Sequence, residues 1–285
     1  MRWEGNRESD NVEDRRGGGF GLGGGSLSLG TIAIALVASL LFGVNPITVL
    51  SMLDGGGAPV PAQQAPDRVP ANDRETRFVR TVLADTEDVW SQLFQSGGAV
   101  YQPPRLVLFS GSTPTECGQG RSATGPFYCP LDRRIYIDLS FYRLMEQRFG
   151  VQGEFAQAYV IAHEVGHHVK TLMGISDEVH AARRRLSGTE GNALSVRQEL
   201  QADCFAGVWA FHANQARGII EGGDVESALA AATAIGDDAL QKQSQGHVVP
   251  DAFTHGSSAQ RVRWFRRGLE SGRVADCNTF EARQL

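Results

Sequence analysis

His163-Glu164-Val165-Gly166-His167 lies inside an apolar run, residues 155–169, and its reading decides the rest of the chain. On a helix, residues four apart sit one turn above each other on the same face, so His163 and His167 can offer two imidazoles to one tetrahedral ion. Glu164, one residue along, can reach a water on that ion without ligating it. A second stretch, Arg197-Gln198-Glu199-Leu200-Gln201-Ala202-Asp203, opens a segment in which Ala202, Phe205, Ala206 and Trp209 recur at helical intervals. Glu199 and Asp203 share a face of it, which suggests Glu199 as third ligand and Asp203 as an acceptor that orients a ligand imidazole. A Glu/Asp pair on a helix is commonly a solvated face, but Leu200, Ala202 and Phe205 argue that this one is packed. Three protein ligands leave the fourth position of a zinc ion for water, the catalytic rather than the structural arrangement.

HEVGHH (163–168) followed by QELQADCFAGVWA (198–210) resembles the bacterial membrane-anchored family of putative neutral zinc metallopeptidases. The ExxAD element is also similar to that of integral-membrane zinc peptidases of the CAAX prenyl protease type. The first resemblance continues through LADTEDVWSQLF (83–94), GPFYCP (125–130), IYIDLSFY (135–142) and FTHGSSAQRVRWF (253–265). It implies a zincin fold, a Zn2+ cofactor and a peptide or protein substrate. It also implies an edge strand beside the metal helix that pairs with extended substrate, for which residues 135–139 are the candidate. His255 and Arg261 resemble the His and Arg of a THPxxxxR element in the CAAX-type peptidases, with Gly256 in place of the proline. In that reading His255 donates to the oxyanion of a tetrahedral intermediate and Arg261 pairs with a carboxylate behind the metal. Read from the residues alone, the two serve equally well a turn and a helix start, for which Ser257 or Ser258 is a natural N-cap.

The chain has 285 residues, 41% of them hydrophobic, enough for one medium domain with appendages. A net charge of −5 gives no reason to expect nucleic acid as a partner. Residues 1–29 are poor in apolar side chains and rich in glycine, and are expected to be a disordered tail. Residues 17–53 carry no charge, and 30–44 (GTIAIALVASLLFGV) are nearly all apolar. Continued to residue 53, the stretch is long enough to cross a hydrocarbon core about 30 Å thick. A buried core helix and the apolar part of a cleaved signal peptide are the other readings. Arg2, Arg7, Arg15 and Arg16 before it, against Arg68 alone soon after it, place the N-terminus in the cytoplasm by the positive-inside rule. Residues 54–72, with Pro59, Pro61, Pro66 and Pro70, read as a linker.

The folded part is expected from residue 73, with Asn72 and Glu75 as a capping box and Val79, Val82, Leu83, Val89, Trp90 and Leu93 on helical spacing. Asp85, Glu87 and Asp88 read as its solvated face. Residues 105–110 and 134–139 read as strands, and 224–243 as one Ala-rich packing helix whose Asp237 and Asp238 are surface or capping groups. His168 and His180 are no better ligand candidates than Glu199. The four cysteines suit disulfides in an oxidising compartment, Cys117 with Cys129 and Cys204 with Cys277; none has the CxxC spacing of a structural zinc site.

The expected whole is α+β: a disordered cytoplasmic Gly-rich tail (1–29), a transmembrane anchor (30–53), a linker (54–72) and a mainly helical zincin-like metallopeptidase domain with a small sheet (73–285). The expected protein is a single-pass protein of the cytoplasmic membrane with its catalytic domain periplasmic or extracellular. The expected chemistry is peptide-bond hydrolysis, with zinc held by His163, His167 and Glu199 and Glu164 as general base; the alternative is a non-proteolytic zinc-binding scaffold.

Overall fold

The computed structural model describes residues 1–16 and 73–285. The expected anchor (30–53), the linker (54–72) and the glycine tract from residue 17 lie outside the described residues. Among the described residues no helix is long and apolar enough to cross a membrane.

Strands β1 (Val12–Asp14), β2 (Arg105–Leu108), β5 (Phe127–Cys129) and β6 (Arg134–Ile137) form a sheet in the order β1-β2-β6-β5, parallel except for the antiparallel β5–β6 pair. β3 (Ser112–Thr115) and β4 (Gly118–Arg121) form a separate hairpin, which the Cys117–Cys129 disulfide ties back to β5. The helices are α1 (Arg74–Ser96), α2 (Ser140–Phe149), α3 (Glu154–Leu172), α4 (Ile175–Arg183), α5 (Gly188–Arg217), α6 (Asp224–Ala234), α7 (Asp237–Gln245) and α8 (Ser258–Ser271). The mainly helical α+β domain expected from the sequence is what these elements make.

α3 carries the HExxH string and is buried on nearly every face, from Phe155 through Val169, as its unbroken apolar run requires. Phe155 stacks on Trp209 of α5 at 6.0 Å between ring centres. α5 starts from a Ser187/Glu190 capping box and stops at Gly218, whose φ of 61° is one that glycine adopts without strain. Gly166 lies at the α3–α5 crossing, where a Cβ would stand 3.0 Å from the Cα of Ala202. The missing side chain is what lets the two candidate metal helices touch.

α8 crosses α5 more closely still. A Cβ on Gly207 would lie 2.1 Å from the carbonyl oxygen of Phe265, and one on Gly268 would lie 2.0 Å from that of Cys204. The Cys204–Cys277 disulfide locks the tail that follows α8 to the same region of α5. Gly207→Ala is therefore expected to lose about 2–3 kcal/mol in a urea titration, since overpacking against backbone outweighs the gain in helix propensity. Gly191→Ala, in the same helix but with its nearest atom 3.8 Å away, should be neutral or stabilise by up to about 1 kcal/mol.

Four expectations need correction. Residues 1–16 are not a disordered tail: Met1–Arg15 belongs to the same compact unit as residues 71–285. Trp3 is 3% exposed, and β1 pairs with β2 from Val12↔Leu106 to Asp14↔Leu108. Two of the three acidic groups expected on the solvated face of α1, Asp85 and Glu87, are consequently buried, while Asp88 is exposed as expected. Glu87 accepts from Ser9 Oγ (2.6 Å), Asn11 Nδ2 (2.8 Å) and Arg7 Nη2 (2.9 Å), and Asp85 pairs with Arg217. The N-cap of α1 is Asp73, accepting from Thr76 N at 2.8 Å, rather than Asn72. The expected single helix at 224–243 is broken at Ile235-Gly236 into α6 and α7. Gly236 meets the backbone of Ser258 so closely that a Cβ would stand 2.5 Å from its nitrogen.

Candidate metal centre and cleft

α3 and α5 bring His163, His167 and Glu199 together, each offering one ligand atom, all within 4.8 Å of one another. His163 Nε2 is 3.2 Å from Glu199 Oε2 and 3.2 Å from His167 Nε2, while His167 Nε2 is 3.4 Å from Glu199 Oε1. His163 Nδ1 faces Asp203 Oδ1 at 2.8 Å. An ionised carboxylate only accepts, so Nδ1 carries the proton and Nε2 presents a lone pair. Lone pairs from a carboxylate and from imidazole nitrogens converging on one point fit a divalent cation of the zinc type.

Charge leads to the same conclusion. Burial disfavours an imidazolium at His163, yet Asp203 and Glu199 outweigh it and hold the ring up to about 9. Burial, reinforced by Lys170, pushes His167 down to about 4. Burial would raise Glu199, but the two histidines keep its carboxyl well below the usual range. Such a pocket draws positive charge to the point where the three side chains meet, and a divalent ion can take the proton's place.

Asp203 is fully buried and fully engaged. Oδ1 accepts from Tyr159 Oη (2.6 Å), His163 Nδ1 and Arg261 Nη2 (2.9 Å), while Oδ2 accepts from Arg261 Nε (2.9 Å). Burial opposes its ionisation, but Arg261 and His163 hold the carboxyl down to about 2. The Asp203 carboxylate thus fixes which His163 nitrogen keeps the lone pair, and Arg261 from α8 fixes the carboxylate.

Two more side chains belong to this arrangement and were not foreseen. Lys170, 1% exposed, places Nζ 2.9 Å from His167 Nδ1 and 2.6 Å from the carbonyl of Gln198, the residue before Glu199. Burial lowers it to about 8. The neutral amine can accept from His167 Nδ1 while donating to α5, whereas the ammonium, the major form below that value, only donates. Asp237, expected to be a surface or capping group, is 8% exposed and gathers the backbone N–H groups of Thr254, His255 and Gly256 at 2.7, 2.6 and 3.0 Å. It also faces His255 Nδ1 at 3.2 Å. That hydrogen bond, partly offset by burial, raises the pKa of His255. The break at Gly236 is what puts Asp237 there, and no short-range pattern links it to a histidine eighteen residues on. His168 turns away from the cluster, toward Gln102 O at 2.6 Å and Tyr128 Oη at 3.1 Å.

The cluster opens into a cleft of about 410 Å³ lined by His163, Glu164, His167, Glu199, His255 and Arg261 together with residues of β5, α2 and α7. Phe141, Leu144 and Phe149 of α2 form one side, while Ile235 and Leu240 also line it. Glu164 is 7% exposed, and burial first, then Glu199, raises its carboxyl to about 7 against the pull of His163. The strand bordering the cleft is not the one expected. β6, which takes in 135–137 of that stretch, is interior to the sheet, flanked by β2 and β5. The edge is β5, whose Phe127 and Tyr128 line the cleft.

Residues 1–280 match the family described as "Putative neutral zinc metallopeptidase". A protein of Escherichia coli strain K12, "Uncharacterized protein YpfJ", is 52% identical over 290 aligned positions, covering 98% of this chain and 99% of that one. "Uncharacterized protein Rv2575" of Mycobacterium tuberculosis is 40% identical over 267 positions, covering 87% and 86%. No solved structure matches the chain.

Proposed function

Because the chain belongs to the putative neutral zinc metallopeptidase family, we propose that it hydrolyses peptide bonds at the His163/His167/Glu199 cluster, with Zn2+ as cofactor. The observation that carries this is a buried Glu164, its carboxyl raised to about 7, on the wall of an open cleft that three converging ligand atoms also line. When bound, zinc would acidify a water and polarise the scissile carbonyl. Glu164 then takes the proton from the attacking water and passes it to the leaving amine. His255, oriented by Asp237, donates to the oxygen on which negative charge develops. Asp203 and Arg261 keep His163 in the tautomer that ligates.

The free edge of β5 offers backbone groups to an extended substrate. The aromatic and aliphatic lining favours a large apolar side chain next to the cleaved bond. Phe141→Ala is expected to lower kcat/KM for peptides with Phe or Leu at that position by about 10- to 100-fold, the range for removing apolar contact in a pocket. Peptides with Ser or Ala there should change little, and the ratio of the two rates is the measurement.

The test of the reading as a whole is cleavage of a degenerate peptide library, read by mass spectrometry alongside zinc content. One zinc per chain, cleavage lost on chelation and restored by Zn2+, supports the peptidase. Stoichiometric zinc with no cleavage of any library member would replace the peptidase with a zinc-binding scaffold.

A further inference from the structure

The segment expected to be disordered makes specific contacts along most of its length. The Met1 amine pairs with Glu221 and Asp224 at 3.0 Å each. Arg2 N donates to Ile219 O at 2.8 Å. The Trp3 indole donates to Glu154 Oε2 at 2.8 Å and packs edge-on against Phe78. Ser9 and Asn11, with Arg7, satisfy Glu87, and β1 extends the main sheet. Glu87 is 7% exposed, and a carboxylate removed from water at that depth needs such partners. The domain is therefore built around residues 1–16.

From this we infer that the two sequences flanking the apolar residues 30–53 lie on the same side of any membrane that those residues enter, and that this side is the oxidising one. A strand pair is about 4.8 Å apart, whereas a hydrocarbon core is about 30 Å thick. One passage through a bilayer between residues 16 and 73 would put β1 and β2 on opposite faces. Exchange of the segment between two copies does not escape this, because copies inserted the same way have all their first segments on one face.

Three of the four arginines that favoured a cytoplasmic N-terminus form ion pairs within the fold. Arg2 pairs with Glu221 at 3.1 Å, Arg7 with Glu87 and Asp88 at 2.9 and 2.7 Å, and Arg15 with Glu13 at 2.7 Å. The choice of side comes from the cysteines. All four are paired, Cys117 with Cys129 and Cys204 with Cys277, which suits an extracytoplasmic compartment and not the reducing cytoplasm. Neither observation depends on what the cleft cleaves.

The experiment uses the full chain in bacterial spheroplasts, with single added cysteines at Glu4, whose side chain is 71% exposed, or at Val100, 85% exposed. The native cysteines are all paired, so a membrane-impermeant maleimide reports on the added one. Retained zinc binding by each variant establishes that it is folded. The expected result is that Glu4→Cys and Val100→Cys both label before lysis. Labelling of one before lysis and of the other only after it would overturn the inference. Labelling of both only after lysis would overturn the assignment to the oxidising side.

Discussion

Glu164→Gln is expected to lower kcat by about 10²- to 10⁴-fold, the range for removing a positioned general base, with one zinc still bound per chain. The reason lies in how this carboxyl differs from its neighbours. Glu199 and Asp203 are held ionised by histidines and Arg261. Glu164 shares the same buried corner, but burial raises it to about 7, so it can both accept and release a proton near neutrality. Gln fills the same volume and leaves the α3–α5 contact at Gly166 and Ala202 untouched, but it cannot take a proton. Steady-state kinetics on an apolar peptide, zinc analysis and a thermal melt separate the possibilities. A variant with full zinc, unchanged melting and wild-type kcat would remove Glu164 from the chemistry.

The parts of the site that could be read from the sequence are those set by helical period. His163 with His167, and Glu199 with Asp203, are each four residues apart, and an apolar context marks both helices as packed. His255 and Arg261 were singled out by resemblance to a known element, and both do line the cleft. Lys170 could have been found, since a lysine three residues after His167 inside an apolar run must bury its amine or leave the core. Asp237 could not, because its role depends on a helix break that local propensity does not dictate. Gly236 is required by its contact with Ser258, a tertiary fact.

The misreading of residues 1–16 has a different cause. Their composition is that of a disordered tail, and the glycine tract that follows reinforces the impression. What orders them is not a hydrophobic face but Trp3, Val12 and polar groups matched to buried carboxylates. The clue was on α1, where Asp85 and Glu87 lie between Val82-Leu83 and Val89-Trp90 on a helix otherwise suited to burial. Carboxylates at such positions imply donors from elsewhere in the chain. Likewise the resemblance points to residues 135–139 as the substrate-side edge, although a strand as buried as β6 belongs in the interior of a sheet.

Removal of Arg261 should have the largest effect on stability. Arg261→Met takes the guanidinium, with its two hydrogen bonds, from a carboxylate that is 0% exposed, and breaking a buried pair on one side costs about 3–5 kcal/mol. Asp203 also gives the variant a pH signature. Its folded pKa, about 2, lies below the ordinary 3.8, so its contribution is complete above that ordinary value and is lost as pH falls toward 2. Without Arg261 the folded pKa rises, and acid unfolding should begin at higher pH. Zinc affinity should fall as well, by about 10- to 100-fold, because His163 is then oriented by a carboxylate free to protonate or turn. The double variant Asp203→Leu, Arg261→Met distinguishes the two roles. With both charges gone, much of the lost stability should return in a urea titration, since an apolar pair tolerates burial. Zinc affinity measured by chelator competition should stay low, because nothing then accepts from His163 Nδ1. Recovery of both together would mean that the buried pair only holds α8 to α5 and has no part in preparing the metal ligand.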